Sequence, residues 1–98
     1  MIAQIIKRDG RRVPFDEAKI VQAIFKAFQG SGSAKGRDTA RELSEQVLEQ
    51  LNRNEAIDAP TVEEVQDVVE RVLIENGFVR TAKAYILYRA ERSRAREM

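Results

Sequence analysis

Four cations, Lys7, Arg8, Arg11 and Arg12, flank an Asp9-Gly10 pair near the start of the chain. Fixed positive charge gathered on so short a segment is chemistry for an anion. Asp-Gly is a turn signal, because a type I′ turn needs positive φ at both central residues, so the segment reads as a tight hairpin with strands over 2–8 and 11–14. Pro14 closes the second strand, since it has no N–H to give the ladder. Asp16 then stands where a helix begins and can accept from the unpaired N–H groups of the first turn. Phe15 and Ile20 lie at hydrophobic-staple spacing around it. Lys19 falls in that first turn, where the helix dipole disfavours a cation. A bound anion removes the penalty, because the N–H groups at a helix start take phosphate readily. Hairpin and helix start together read as a phosphate site. The plainer reading of the same ribbon is a charged edge that resists strand pairing.

These residues need elements to hold them. A lone hairpin is marginal in water and must dock on something. Ile20, Ile24 and Phe28 recur every four residues, with Val21 and Phe25 beside them, which predicts a helix over about 17–28 with Gly30 as its C-cap. Gly30 to Gly36 is a connector. It is not a P-loop, because Lys35 is followed by glycine rather than Ser or Thr and the preceding element is helical. A second helix over about 38–51 carries Leu43, Val47 and Leu51 on one stripe, with Leu48 near it and Glu42, Glu45 and Glu49 opposite. A polar loop over Asn52 to Ala59 leads to Pro60. Thr61 and Glu64 form a capping box for a third helix over about 62–75, which bears Val65, Val68, Val69, Val72 and Leu73 and stops at Asn76-Gly77. A fourth helix over about 79–95 carries Ala82, Tyr85 and Ile86, then Tyr88-Arg89. The expected fold is α+β, mainly α: one domain over 1–98 with an amino-terminal β-hairpin capping a small four-helix bundle. In up-down-up-down order the capped starts of the first and third helices point the same way. One end of the bundle then holds two positive dipole ends beneath a basic hairpin, a setting for a triphosphate.

Composition narrows the chemistry. The chain has 98 residues and a net charge of +1, with no cysteine and no histidine, so disulfides, zinc–thiolate sites and histidine catalysis are excluded on it. The near-neutral total hides a segregation: Glu42 to Glu75 holds ten acidic and two basic residues, Arg80 to Met98 six basic and two acidic. No apolar run is long enough for a signal peptide or a membrane span, and a cytoplasmic protein is expected. No paired-carboxylate arrangement near the hairpin supports hydrolysis. Tyr85 and Tyr88 read as core or rim residues.

Ile6-Lys7-Arg8-Asp9-Gly10 followed by Val13-Pro14-Phe15-Asp16-Glu17-Ala18-Lys19-Ile20 resembles the opening of the ATP-cone, the nucleotide-sensing module of ribonucleotide reductases. Thr61 to Glu70 resembles its middle helix, and Ala82-Lys83-Ala84-Tyr85-Ile86-Leu87-Tyr88-Arg89 its closing helix. The three blocks, in order, cover nearly the whole chain. The resemblance implies a non-catalytic domain that takes ATP or dATP as an allosteric effector, with Mg²⁺, ATP favouring the parent's activity and dATP suppressing it through subunit assembly. It implies that Lys7, Arg8 and Lys19 meet the phosphates, that Asp16 sits near the sugar, that Ile5 and Ile20 line the base pocket and that Gln66 lies near the ligand. Arg11, Arg12, Lys83 and Arg89 are outer candidates. The implied partners are the catalytic domain or subunit of a reductase and further copies of the assembly. The same cone occurs in a repressor of reductase genes behind a zinc ribbon, which this cysteine-free sequence lacks. The Tyr88-Arg89 ending is closer to the anaerobic and B12-dependent reductases than to the aerobic one.

A reading from a different class stays beside it. The basic hairpin and the Arg-rich tail can serve a nucleic acid, with steep salt dependence and indifference to the base of any nucleotide. On the nucleotide reading, the residues after Arg89 are dispensable for binding.

Overall fold

The computed structural model describes residues 2–53 and 59–97, with side chains as far as Arg92. Strands β1 (Gln4–Ile6) and β2 (Arg12–Pro14) form an antiparallel hairpin, followed by helices α1 (Glu17–Gly30), α2 (Arg37–Arg53), α3 (Val62–Glu75) and α4 (Val79–Glu97). This is the mainly helical α+β fold with an amino-terminal hairpin that the patterning predicts.

The hairpin's turn differs from the expected one. Gly10 donates to the Lys7 carbonyl (2.9 Å) and Lys7 to the Arg11 carbonyl (2.8 Å), so the loop has three residues, Arg8, Asp9 and Gly10. Gly10 has φ 88°, whereas Asp9 stays at negative φ. A type I turn closed by a left-handed glycine has therefore replaced the two-residue type I′ turn, which would place Asp9 in a region that costs any residue with a Cβ. Asp9 is put to another use: its carboxylate accepts from the backbone N–H of Arg11 (3.1 Å) and from Arg11 Nε (2.6 Å). The strands are also shorter than 2–8 and 11–14: Lys7 and Arg11 close the three-residue loop, and the paired segments are Gln4–Ile6 and Arg12–Pro14.

Docking of the hairpin rests on main-chain bonds. Ile6 N–H donates to the Pro60 carbonyl (2.9 Å), and Ile6 bridges to Thr61 in parallel register. Phe15 N–H donates to the Ala3 carbonyl (3.0 Å), and Ile2 N–H to Asn52 Oδ1 (3.1 Å). Asn52 and Arg53 belong to the last turn of α2 rather than to a loop. The rest of the expected loop, 54–58, lies outside the described residues.

The helix ends follow their local chemistry. Asp16 caps α1 and accepts from Ala18 N–H (3.1 Å). Thr61 and Glu64 form the reciprocal capping box of α3. Gly30, expected to cap α1, is its last helical residue instead; the left-handed position falls on Gly32 (φ 72°), which donates to Gln29 while Ser33 donates to Phe28. This double bond pattern satisfies the last carbonyls, and Gly77 with Phe78 repeats it at the end of α3.

The helices close a ring in which α1 and α3 each pack on both α2 and α4. The core takes Ile20, Ile24 and Phe28 from α1, Leu43, Val47 and Leu51 from α2, Val65, Val69, Val72 and Leu73 from α3, and Ala82 and Tyr85 from α4. Phe28 meets Phe78 edge-on at 5.3 Å. The buried Ser44 and Thr81 hydroxyls are both bonded, Ser44 to Glu17 (3.4 Å) and Thr81 to Ser31 (3.0 Å). Phe28 is fully buried at the centre. Replacing it with alanine removes a large side chain that the surrounding helices cannot collapse to fill. Phe28→Ala is expected to lose about 3–5 kcal/mol of stability, read by denaturant unfolding.

Candidate functional site

A cleft of about 370 Å³ opens where the hairpin meets the bundle. Its walls come from all the elements that converge there. The hairpin supplies Ile5, Lys7 and Val13, and the link into α1 supplies Phe15 and Asp16. Lys19, Ile20, Gln22, Ala23 and Lys26 come from α1, Val62, Val65 and Gln66 from α3, and Tyr85, Tyr88 and Arg92 from α4. The capped starts of α1 and α3 thus border one cavity beneath the hairpin, as the up-down topology predicts.

Strand alternation decides which hairpin cation faces the cleft. Ile5 and Lys7 are two residues apart and share a face, with Ile5 opposite Val13 in register. Arg8 belongs to the hairpin loop. It lies outside the cleft lining, and its Nε pairs with Glu63 of α3 at 3.1 Å. Of the residues singled out in the sequence, Ile5, Lys7, Asp16, Lys19, Ile20 and Gln66 come together in the cleft and Arg8 does not.

The outer candidates do not line it either. Arg11 is held by Asp9, whose carboxyl is kept below its usual range by the Arg11 backbone bond and then the side-chain bond. Arg89 clamps α4 to α3 through Asp67 (3.0 Å) and Glu70 (2.5 Å). Burial works against the Arg89 charge, but these carboxylates outweigh it and hold its pKa above the ordinary value. Lys83 and Arg12 are absent from the lining.

Gln22, Lys26, Tyr88 and Arg92 are among the lining residues that sequence reasoning did not assign to the site, and each had a signal. Gln22 and Lys26 follow Lys19 at i+3 and i+7, so the face that carries Lys19 carries them too. Tyr88 and Arg92 follow Tyr85 in the same way. Tyr85 is buried in the core and also forms a wall of the cleft, and burial pushes its phenol well above the ordinary range, so it acts there as a neutral group. Arg92 lies over the Tyr88 ring (5.8 Å) and donates to its hydroxyl (3.4 Å). Arg92, which lies beyond Arg89, is thus one of the lining residues.

The arrangement sorts by polarity. Lys7, Lys19, Lys26 and Arg92 supply positive charge, and Asp16 is the one carboxylate among the lining residues. Ile5, Val13, Ile20, Val62 and Val65 supply apolar surface. Such a cavity suits a ligand with an anionic end and a planar apolar end. Among the described residues, no three acidic or metal-ligating side chains gather as they would to hold a metal ion. No described helix is long and apolar enough to cross a membrane.

Fold and site together define a hairpin-capped helical domain with a cationic cleft at one end. The chain belongs to the ATP-cone family: the model of the ATP cone domain matches residues 3–94. It is 42% identical over 99% of its length to the vitamin B12-dependent ribonucleoside-diphosphate reductase of Thermoplasma acidophilum, of which the match covers 13%. It is 38% identical over 97% of its length to the ribonucleoside-diphosphate reductase subunit alpha of Chlamydia pneumoniae, covering 10% of that protein. To the anaerobic ribonucleoside-triphosphate reductase of Salmonella typhimurium it is 34% identical over 99% of its length, covering 13% of that protein. The chain thus spans about a tenth to an eighth of the curated relatives it matches.

The Asp16 cap and the Arg8–Glu63 pair carry separable loads. Asp16→Ala removes a bonded N-cap and is expected to cost about 1 kcal/mol of stability, read as a lowered thermal midpoint by circular dichroism. Arg8→Ala should lower that midpoint by less, because a half-exposed ion pair contributes about 0–1 kcal/mol.

Proposed function

We propose that this domain binds ATP and dATP in the hairpin cleft and acts as an allosteric module of a ribonucleotide reductase. The observation that carries the reading is that Lys7 and Lys19 line one cleft beside the capped N-terminus of α1, together with the apolar side chains of Ile5, Val13, Ile20, Val62 and Val65. Phosphates gain there from both lysines and from the positive dipole end of α1. Ile5 and Ile20 offer the base an apolar surface, and Asp16 stands at the cap where a sugar hydroxyl can donate to it. Mg²⁺ enters with the triphosphate, since it is commonly bound through phosphate oxygens with few protein ligands. Arg8 serves the site from outside, tethering the hairpin to Glu63.

Binding alone does no chemistry. An effector shifts the parent's activity only by preferring one of its states, so the output lies in differential affinity between assembly states. The partners are the catalytic part of a cytoplasmic reductase, of the anaerobic or B12-dependent type, and further copies brought together or apart by ATP and dATP. These two effectors differ by one hydroxyl, so a single neutral hydrogen bond discriminates between them by about 1 kcal/mol.

The nucleic-acid reading is weakened by the fate of its cations. Arg8, Arg11 and Arg89 are each paired with carboxylates of the same chain.

Calorimetric titration with ATP, dATP and GTP in the presence of Mg²⁺ is expected to show binding of both adenine nucleotides and a much smaller response to GTP. Lys7→Ala and Lys19→Ala should each weaken ATP binding by roughly tenfold or more, the loss of one charge-assisted contact, with the helical spectrum unchanged. Wild-type affinity in both variants would refute the site. Tight, base-indifferent binding of DNA that falls steeply with salt would favour the other reading.

A further inference from the structure

Gln66 Oε1 is buried and has no hydrogen-bond partner. A buried acceptor without a donor is uncommon in a folded protein and calls for a reason. This one belongs to a residue that lines the cleft, so a ligand can supply what the chain does not. The walls differ in a way that says which part of the ligand it meets. The hairpin and α1 walls carry Lys7, Lys19 and Lys26, and the α4 wall carries Arg92. The α3 wall carries no charge: it consists of Val62, Val65 and Gln66. Val62 and Gln66 stand one turn apart on the same face of α3. Phosphates are drawn to the cationic walls, which leaves the apolar α3 wall for the base.

We propose that Gln66 is the base-reading residue of the cleft, its side-chain carbonyl accepting a hydrogen bond from the exocyclic amine of adenine. The inference rests on the nucleotide reading above and adds the origin of its base selectivity. An amine at the purine 6-position donates to Oε1 and satisfies it. With Oε1 towards the base, the 6-oxo group of guanine or hypoxanthine sets a second acceptor against it, and pairing with it requires the amide to turn over. Selectivity then comes from rejection of the wrong base as well as attraction of the right one.

Inosine triphosphate is the appropriate probe, because it differs from ATP at the 6-position without the 2-amino group of guanine. The wild-type chain is expected to bind ATP about tenfold more tightly than inosine triphosphate, the ratio set by one buried hydrogen bond. Gln66→Met keeps the length and apolar stem but removes the acceptor, and should bring the ratio close to one. Gln66→Glu retains an acceptor and should preserve the preference even where its charge lowers both affinities. The ratio of ATP to dATP affinity should be the same in wild type and Gln66→Met. Equal wild-type affinity for ATP and inosine triphosphate would overturn the assignment while leaving nucleotide binding intact. So would a Gln66→Met variant that keeps the base preference or loses only the distinction between ATP and dATP, the latter placing the amide at the sugar. Absence of any adenine-nucleotide binding to the wild-type chain would remove the nucleotide reading and this inference with it.

Discussion

The N–H of Ile6 donates to the carbonyl of Pro60 across 2.9 Å, and the position of the hairpin depends on that bond. Two three-residue strands cannot stabilise themselves in water. Here the outer edge of β1 continues onto the residues that precede α3, through the parallel bridge from Ile6 to Thr61. The same bond places the hairpin over the start of α3, while the short Pro14–Asp16 link places it over the start of α1. Arg8 adds an ion pair to Glu63 on the first turn of α3. Without this tie Lys7 would belong to a mobile ribbon, and the cleft would lack a wall.

Charge is distributed so that the cleft keeps its positive potential. Arg11 and Arg89 are spent within the chain, the first stabilising the turn through Asp9 and the second joining α4 to α3 through Asp67 and Glu70. The acidic face of α2, with Glu42, Glu45 and Glu49, lies on a helix that contributes nothing to the lining. Lysines dominate the cleft, and a lysine ammonium on a flexible stem can follow a phosphate chain of varying conformation in a way a fixed guanidinium fork cannot. Arg89 also fixes the register of α4 on α3, so Tyr85, Tyr88 and Arg92 reach the cavity from a helix whose position is set elsewhere.

Much of this fold is legible in the sequence. The apolar stripes at Ile20, Ile24 and Phe28, at Leu43, Val47 and Leu51, and at Val65, Val69 and Val72 each name a helix and its buried face, because burial and the 3.6-residue repeat are local. The Asp16 cap and the Thr61–Glu64 box are written in the same short-range terms. The glycine at the end of α1 was misjudged for a physical reason: Gly30 and Gly32 both allow the left-handed turn, and the choice falls where Ser31 can meet Thr81 on α4. The turn at Asp9-Gly10 departs from the dipeptide rule because the Asp9 carboxylate pairs with Arg11 across a three-residue loop, a contact that the dipeptide does not contain.

Sequence alone determined which residues carry charge, which face of each helix is apolar, where the helices start, and that Lys19 falls in the first turn of a helix. All of these follow from chain neighbours within a turn or a strand pair. Only the tertiary structure decided that Lys7 faces the cleft while Arg8 turns to Glu63, that Lys26, Tyr88 and Arg92 join the wall, and that Gln66 presents a buried, unpaired carbonyl to it. Those outcomes depend on how the hairpin and three helices are set against one another. Their setting is fixed by the Ile6–Pro60 bond and the packed core, between residues far apart in the chain.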